Sequence, residues 1–197
     1  MRTVSIFLAL IVLGCKPASD ERALRSAFSQ ALENRDVDAS IDSFERLASD
    51  YHVTGSDTVE AAWLMLHCKG DLESALDHLG RIQPETILQN TRYPNLEHQT
   101  PDALQRLNVH YYRSFHSLYA FATCLVEDYA ECQTVTQNAL ASILGDAESE
   151  QDRMDGWVSV EVQDLRWLQS LNEEELRAQL SQQLHQSMEA CSNQRAR

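Results

Sequence analysis

Apolar side chains recur at helical spacing along almost the whole chain, and this pattern constrains the fold more than any other feature. They form a stripe on one helical face between Asp20 and Asn34, and similar stripes follow as far as Met188. Residues that break helices are scarce, since there are six glycines and four prolines among 197 residues. The alternation typical of half-buried strands is nearly absent. We therefore predict an all-α protein.

The helical pattern repeats at an interval of about 35 residues. Ala27-Phe28 and Ala62-Trp63 are 35 residues apart, and so are Asp36 and Asp71. The segment Gly70–Leu76 resembles the turn and second-helix start of a tetratricopeptide repeat, a helical pair of about 34 residues. The resemblance implies helical hairpins stacked as an α-solenoid, with an irregular helical bundle as the alternative. The glycine of this turn can take a conformation that ends a helix without steric cost, and its replacement by valine is destabilising if that conformation has a positive φ.

Local signals also place several helix ends. Thr100-Pro101 makes a good N-cap and first helical residue for a long helix that extends to about Val126. Asp128 marks the turn into the next helix. Asn172 and Glu175 resemble a capping box, which predicts the start of the last helix.

Three stretches interrupt the helical pattern. Ser56 or Asp57 is the expected N-cap after a break at Gly55. Residues 84–100 predict a long connection with one helical turn. Residues 157–162 alternate as a short strand does, whereas the leucines that follow favour a helix.

The first fifteen residues have the composition of an export signal. Arg2 precedes an apolar run, Val4–Leu13, that is half the roughly twenty residues needed to span a bilayer. The run ends in Val12-Leu13-Gly14-Cys15, which resembles the lipobox of bacterial lipoproteins. This resemblance implies cleavage before Cys15, acylation of that cysteine and attachment to a membrane. An ordinary secretory signal with a chance cysteine is the alternative.

These signals divide the chain into five parts. Residues 1–14 form the signal peptide, and residues 15–19 form a lipidated tether. Residues 20–145 form a helical repeat domain, and residues 146–156 form an acidic linker. Residues 157–197 form a C-terminal helical segment, which we expect to cover the open end of the solenoid.

The charge of the chain excludes some partners. Its net charge is −14, which becomes −15 on removal of residues 1–14 because Arg2 is their one charged residue. Lys16 and Lys69 are the two lysines and the arginines are scattered, so no basic patch for nucleic acid is expected. Lys16, rather than Asp, follows the cysteine, and in the enterobacterial sorting pattern this implies the outer membrane.

Four cysteines remain beyond the export signal, namely Cys68, Cys124, Cys132 and Cys191. In an exported chain they allow two disulfides, with three possible connectivities. Cys124 and Cys132 stand four residues on either side of Asp128, where a turn brings two helices close enough for a bridge. This pair is the disulfide candidate, and two buried thiols that only pack are the alternative.

No catalytic signature follows the export signal. His110 and His116 are six residues apart and lie on different helical faces, and the adjacent His67 and Cys68 cannot both face one metal ion. A strained serine elbow and a glycine-rich phosphate loop are both missing from the sequence. We therefore expect no enzyme activity, no metal, no cofactor and no small-molecule substrate.

An aromatic stripe is the candidate partner-binding surface. Tyr111, Phe115 and Tyr119 occur at positions i, i+4 and i+8 of the predicted long helix. Aromatic residues are enriched at the centres of protein interfaces, and repeat solenoids bind peptides along a groove. Tyr93 in the long connection is the next candidate. The alternative is that the stripe belongs to the hydrophobic core.

Taken together, these features predict a lipid-anchored scaffold or adaptor, rather than an enzyme, that binds another envelope protein on the periplasmic face of the outer membrane. The combination resembles bacterial tetratricopeptide lipoproteins, which include pilus-assembly pilotins and outer-membrane-protein assembly factors. Two other functions stay open. One is an envelope enzyme acting on cell-wall glycan, and the other is an inhibitor or immunity-type lipoprotein that blocks one specific protein.

Overall fold

The computed structural model describes residues 18–90, 100–146 and 160–195. Helices account for 87% of these residues, and no strand occurs among them, so the prediction of an all-α protein is confirmed. No helix in these three ranges combines the length and the apolar character that crossing a bilayer requires.

Nine α-helices follow one another in the described ranges: α1 (Ala18–Glu33), α2 (Val37–Asp50), α3 (Gly55–Leu64), α4 (Leu72–Gly80), α5 (Glu85–Leu88), α6 (Pro101–Val126), α7 (Tyr129–Asp146), α8 (Val160–Ser170) and α9 (Glu173–Arg195). A short π-helical segment, Met65–Lys69, continues α3 without a break. Helix α1 packs on α2, α3 on α4, and α6 on α7, while α8 packs on α6 and α7. One hydrophobic core joins these helices.

The same capping arrangement opens α2, α4, α7 and α9. In each case the side chain of an Asp or Asn accepts a hydrogen bond of 2.9–3.1 Å from the backbone N–H three residues later; these cap residues are Asp36, Asp71, Asp128 and Asn172. The residues four and eight positions after each cap lie on one helical face and are buried: Ser40 and Phe44, Ala75 and Leu79, Cys132 and Thr136, Leu176 and Leu180. One local pattern therefore starts and orients four helices.

Equivalent positions in the first helices of two successive pairs are 34 residues apart, whereas those at the start of the second helices are 35 residues apart. Phe28 of α1 and Ala62 of α3 are both buried and stand 34 residues apart, whereas the caps Asp36 and Asp71 stand 35 apart. The π-helical segment lies between these positions, and a π-turn accommodates an extra residue. The expected pairing of Phe28 with Trp63 does not hold, because Trp63 is 46% exposed and sits one position outside the core face.

Both ends of the long helix α6 and the start of α9 lie where the sequence predicts them. Thr100 caps α6 by accepting a hydrogen bond of 3.3 Å from the backbone N–H of Ala103, with Pro101 as the first helical residue. Glu175 closes the capping box of α9, since its carboxylate accepts a hydrogen bond from the backbone N–H of Asn172. The predicted connection after residue 84 contains the single helical turn α5, and residues 91–99 lie outside the described ranges.

Two sequence-based expectations for helix starts are corrected. The N-cap of α3 is Thr54, rather than Ser56 or Asp57, because the Thr54 hydroxyl accepts a hydrogen bond of 3.2 Å from the backbone N–H of Asp57. Asp57 completes the capping box through its own side chain. Residues 160–162 of the alternating stretch do not form a strand, since Val160 begins helix α8; residues 157–159 lie outside the described ranges.

Helix α9 extends from the α6–α7 turn to the end of the π-helical segment. At its start, the Tyr129 hydroxyl donates a hydrogen bond of 2.9 Å to the backbone carbonyl of Leu171. Near its end, a disulfide joins Cys191 to Cys68, with 5.3 Å between their Cα atoms. The C-terminal helix is thereby attached to two distant parts of the molecule. A second disulfide joins Cys124 and Cys132 across the α6–α7 turn, with Cα atoms 4.5 Å apart.

Candidate functional site

A groove opens between α3, α6, α8 and α9, and we call it the tryptophan groove. Its volume is about 200 Å³, and it is lined by Trp63, His67, Ser114, Ser117, Leu118, Phe121, Val160, Glu161, Asp164, Trp167, Leu168 and Gln183. Trp63 is 46% exposed and Val160 is 67% exposed, although both are large and apolar. Exposed apolar residues that gather in one depression are typical of a binding surface.

Aromatic rings form one wall of the tryptophan groove. The ring of His67 lies between those of Trp63 and Phe121, with centroid distances of 5.2 Å and 5.4 Å. His67 Nδ1 also lies 3.3 Å from the hydroxyl of Ser187, which ties this wall to α9. Burial lowers the pKa of His67 to about 4, so its ring is neutral at pH 7. The wall therefore presents a neutral, largely apolar aromatic surface.

Two carboxylates of α8 face the same groove. Glu161 and Asp164 are three residues apart and share one helical face. Glu161 accepts a hydrogen bond of 3.3 Å from the Ser114 hydroxyl, and its carboxylate lies 3.5 Å from Nδ1 of His110. Burial, followed by the negative charge of Glu161, raises the pKa of Asp164. The groove thus places negative charge beside an apolar wall.

The size and chemistry of the tryptophan groove suit the side chains of another protein. Pockets for small molecules usually enclose about 300–1,000 Å³, more than this groove offers. Within the described ranges, no group of three or more histidine, cysteine, aspartate or glutamate residues is arranged to hold a metal ion. Aromatic rings beside a few polar groups are typical of the buried centre of a protein interface.

The residues of the predicted aromatic stripe, Tyr111, Phe115 and Tyr119, do not line the tryptophan groove. Phe115 is 5% exposed and belongs to the core, so its ring is not open to a partner. Tyr111 is half-buried and its hydroxyl donates a hydrogen bond of 2.6 Å to Glu60. Tyr119 is half-buried as well, and its ring stacks on Phe115 at 5.9 Å. Helix α6 turns the neighbouring face, which carries Phe121, toward the groove.

Two other predicted site residues, Cys15 and Tyr93, lie outside the described residues. A second cavity, of about 430 Å³, borders the described part of the long connection and includes His78, Arg81 and Asn90 in its lining. Burial, followed by the positive charge of Arg81, lowers the pKa of His78. None of the large apolar residues that are exposed in the described ranges lines this cavity, so it is the weaker candidate for protein binding.

Sequence reasoning missed Trp63, Trp167, Glu161 and Asp164 as members of one site. About a hundred residues separate the first of these from the other three, and only the packing of α8 beside α3 and α6 brings them together. One signal was present in the sequence: Trp63 is a large apolar residue at a position where the repeat pattern favours a small one.

Comparisons with protein-family models, with curated proteins and with solved structures find no match to this chain.

Proposed function

We propose that this protein is a lipid-anchored adaptor of the bacterial envelope that binds another envelope protein in the tryptophan groove. The observation that carries the proposal is the convergence of Trp63, Trp167 and Val160 on one groove that remains open to solvent. Tryptophan is among the residues that contribute most to binding when a partner buries them. A helical scaffold held by two disulfides keeps such a surface in one arrangement before binding.

Tetratricopeptide-like hairpins form part of the proposal. The support for them is the recurring cap followed by buried residues at the fourth and eighth positions, together with intervals of 34 and 35 residues between equivalent positions. Helical repeats of this kind serve as binding scaffolds, which agrees with a role as an adaptor.

The proposed anchor is an acylated Cys15, and the proposed location is the periplasmic face of the outer membrane. Acyl chains contribute about 0.8 kcal/mol per buried methylene, and several chains anchor stably where one does not. We expect Cys15→Ser to release the protein into the soluble fraction or to stall its processing. Cell fractionation and mass spectrometry of the N-terminus test this. A mature wild type that begins elsewhere and enters the aqueous phase would contradict the anchor.

The groove is tested by photocrosslinking in intact cells. A photoreactive amino acid at position 160, where Val160 lines the groove and is 67% exposed, should capture one defined partner, whereas the same group at position 126 should not. Val126 is the matched control because it is 47% exposed but does not line the groove. Trp63→Ala should weaken capture from a neighbouring groove position with little change in melting temperature, since truncated aromatic anchors often cost about 2 kcal/mol of affinity. Equal capture at both positions would overturn this use of the groove.

An envelope enzyme acting on cell-wall glycan is the second candidate function. The observation in its favour is that Glu161 and Asp164 share a groove with two tryptophans, and that the raised pKa of Asp164 is a property of general acids. Release of soluble fragments from purified cell wall by the wild type, and its loss in Glu161→Gln or Asp164→Asn, would establish this activity. An inhibitor or immunity-type lipoprotein would use the binding chemistry of the adaptor, and the identity and activity of the captured partner would distinguish the two.

A further inference from the structure

The formally charged residues that line the tryptophan groove are both acidic. Glu161 and Asp164 contribute these charges, and His67, the one other titratable lining residue, is neutral at pH 7. The negative charge of Glu161, after burial, contributes to the raised pKa of Asp164. A positively charged group in the groove would relieve this repulsion and would meet no positive charge from the lining.

The aromatic wall favours the same kind of occupant. Trp63 and Trp167 both line the groove, and the rings of His67 and Phe121 extend the wall beside Trp63. The faces of indole rings attract cations, and a flat guanidinium group also stacks on them. An arginine side chain therefore matches the aromatic wall and the acidic wall together.

An apolar occupant fits the groove less well. It would further bury the carboxylates of Glu161 and Asp164 without bringing a positive charge, and the Ser114 hydroxyl that already donates a hydrogen bond to Glu161 is neutral. Glu161 already has only 17% of its side chain exposed, so a ligand placed over it displaces most of the remaining water. The volume of about 200 Å³ is sufficient for one long side chain and too small for a folded element.

We propose that the tryptophan groove receives an arginine side chain from a surface segment of the partner protein, with its guanidinium between the indole rings and the carboxylates of α8. This assignment rests on the proposed function as a protein-binding adaptor. It defines the partner by its chemistry, as a protein that presents an accessible arginine to a strongly acidic surface. The net charge, which is −15 after removal of residues 1–14, steers such a partner toward the adaptor.

The experiment uses the full-length lipidated protein in lipid nanodiscs, labelled with 5-fluorotryptophan. The chain contains three tryptophans, so fluorine NMR gives one signal each for Trp63, Trp157 and Trp167. The probes are acetylated pentapeptides of glycine with a central arginine, citrulline or leucine. Citrulline is the decisive control, because it keeps the shape of arginine and removes the charge. The arginine peptide should shift the Trp63 and Trp167 signals and bind about tenfold more tightly than the citrulline peptide.

Charge-matched variants test the acidic wall. Glu161→Gln with Asp164→Asn should remove the preference for arginine over citrulline. The control, Glu73→Gln with Asp77→Asn on the exposed face of α4, changes the net charge equally and should keep that preference. Unchanged melting temperatures confirm that each variant is folded. If the double variant does not fold, Glu161→Gln alone tests the same preference.

The possible results separate this proposal from the proposed function. Equal binding of the arginine and citrulline peptides, tighter binding of the leucine peptide, or no shift with any peptide would each overturn the arginine assignment. Capture of a partner at position 160 in cells would still support the groove as a binding surface in those cases. Failure of that capture would instead overturn the function on which the assignment rests.

Discussion

At the scale of single residues, Gly70 determines how α3 and its π-helical extension end. Its φ is +67°, in the left-handed region that side chains other than glycine rarely adopt. A Cβ atom built on Gly70 would also lie 3.0 Å from the sulfur of Met188 in α9. Gly70 thus allows both the turn and the close approach of α9. The sequence predicts a helix-ending turn at Gly70, but the approach of Met188 depends on the tertiary fold.

We expect Gly70→Val to destabilise the protein by about 1 kcal/mol or more, because valine is strained at positive φ and meets Met188. Gly80→Ala is the matched control: a Cβ atom added at Gly80 would have no neighbour within 4 Å, so stability should be unchanged or slightly higher. Urea unfolding of the two variants and the wild type measures the difference. Equal stability of Gly70→Val and the wild type would contradict the strain.

His67 makes stability depend on pH. Its pKa is about 4 in the folded protein and 6.5 for an unperturbed histidine. Between these values the unfolded chain binds more protons than the folded one, so His67 lowers stability as pH falls from 6.5 toward 4. We expect the stability advantage of the wild type over His67→Gln to shrink by about 2 kcal/mol between about pH 7 and pH 4.5.

Urea unfolding at the two pH values tests the contribution of His67. The pKa of His78 is also lowered, so this residue too reduces stability as pH falls. The pKa of Asp164 is raised, so this residue has the opposite effect on stability. Both residues titrate in the wild type and in the variant alike. Their effects therefore cancel in the comparison. An advantage that stays constant across this range would show that His67 is not held in a neutral state by burial.

At the scale of helices, capping side chains were the most predictable features. Asn172 and Thr100 were assigned from short-range patterns, because a cap depends on residues within one helical turn. The sequence does not single out the cap of α3, since Thr54, Ser56 and Asp57 are all good capping residues and only the backbone selects among them. Local sequence therefore predicts that a helix starts, and tertiary packing chooses the residue.

Removal of a cap should cost more than removal of an exposed ion pair on the same helix. Asp71→Ala deletes the acceptor for the backbone N–H of Ser74 at the start of α4, and we expect a loss of about 1 kcal/mol. Asp77→Ala deletes the ion pair between Asp77 and Arg81. Both of these side chains are more than half exposed, so the change in stability should be less than about 0.5 kcal/mol. Thermal unfolding of the two variants compares them. Equal losses would contradict the role of Asp71 as a cap.

At the scale of the whole molecule, the helical class followed from the sequence but the groove did not. Helical spacing is a local property, and it is repeated often enough along the chain to define the class. The groove depends on where α8 and α9 pack after residues 147–159, and no local pattern specifies that placement. Its residues contact one another only because distant segments share one core.

The two disulfides should contribute differently to the stability of the protein. The bond between Cys68 and Cys191 closes a loop of 123 residues, and the loop entropy removed from the unfolded chain corresponds to a stabilisation of about 5 kcal/mol. The bond between Cys124 and Cys132 closes a loop of 8 residues, which corresponds to about 2.5 kcal/mol. We therefore expect Cys68→Ala with Cys191→Ala to lower stability more than Cys124→Ala with Cys132→Ala, as measured by urea unfolding.

Limited proteolysis locates the effect of each bond. Without Cys68 and Cys191, the end of α9 keeps only side-chain contacts such as that of Ser187 with His67, so it should be cleaved early. Leu176 and Leu180 stay buried in the core and should protect the start of α9, because each buried leucine contributes about 1.5–3 kcal/mol. Loss of Cys124 and Cys132 should leave the cleavage pattern of α9 unchanged. Early cleavage at the start of α9 in the variant without Cys68 and Cys191 would show that the helix is held by its disulfide rather than by its leucines.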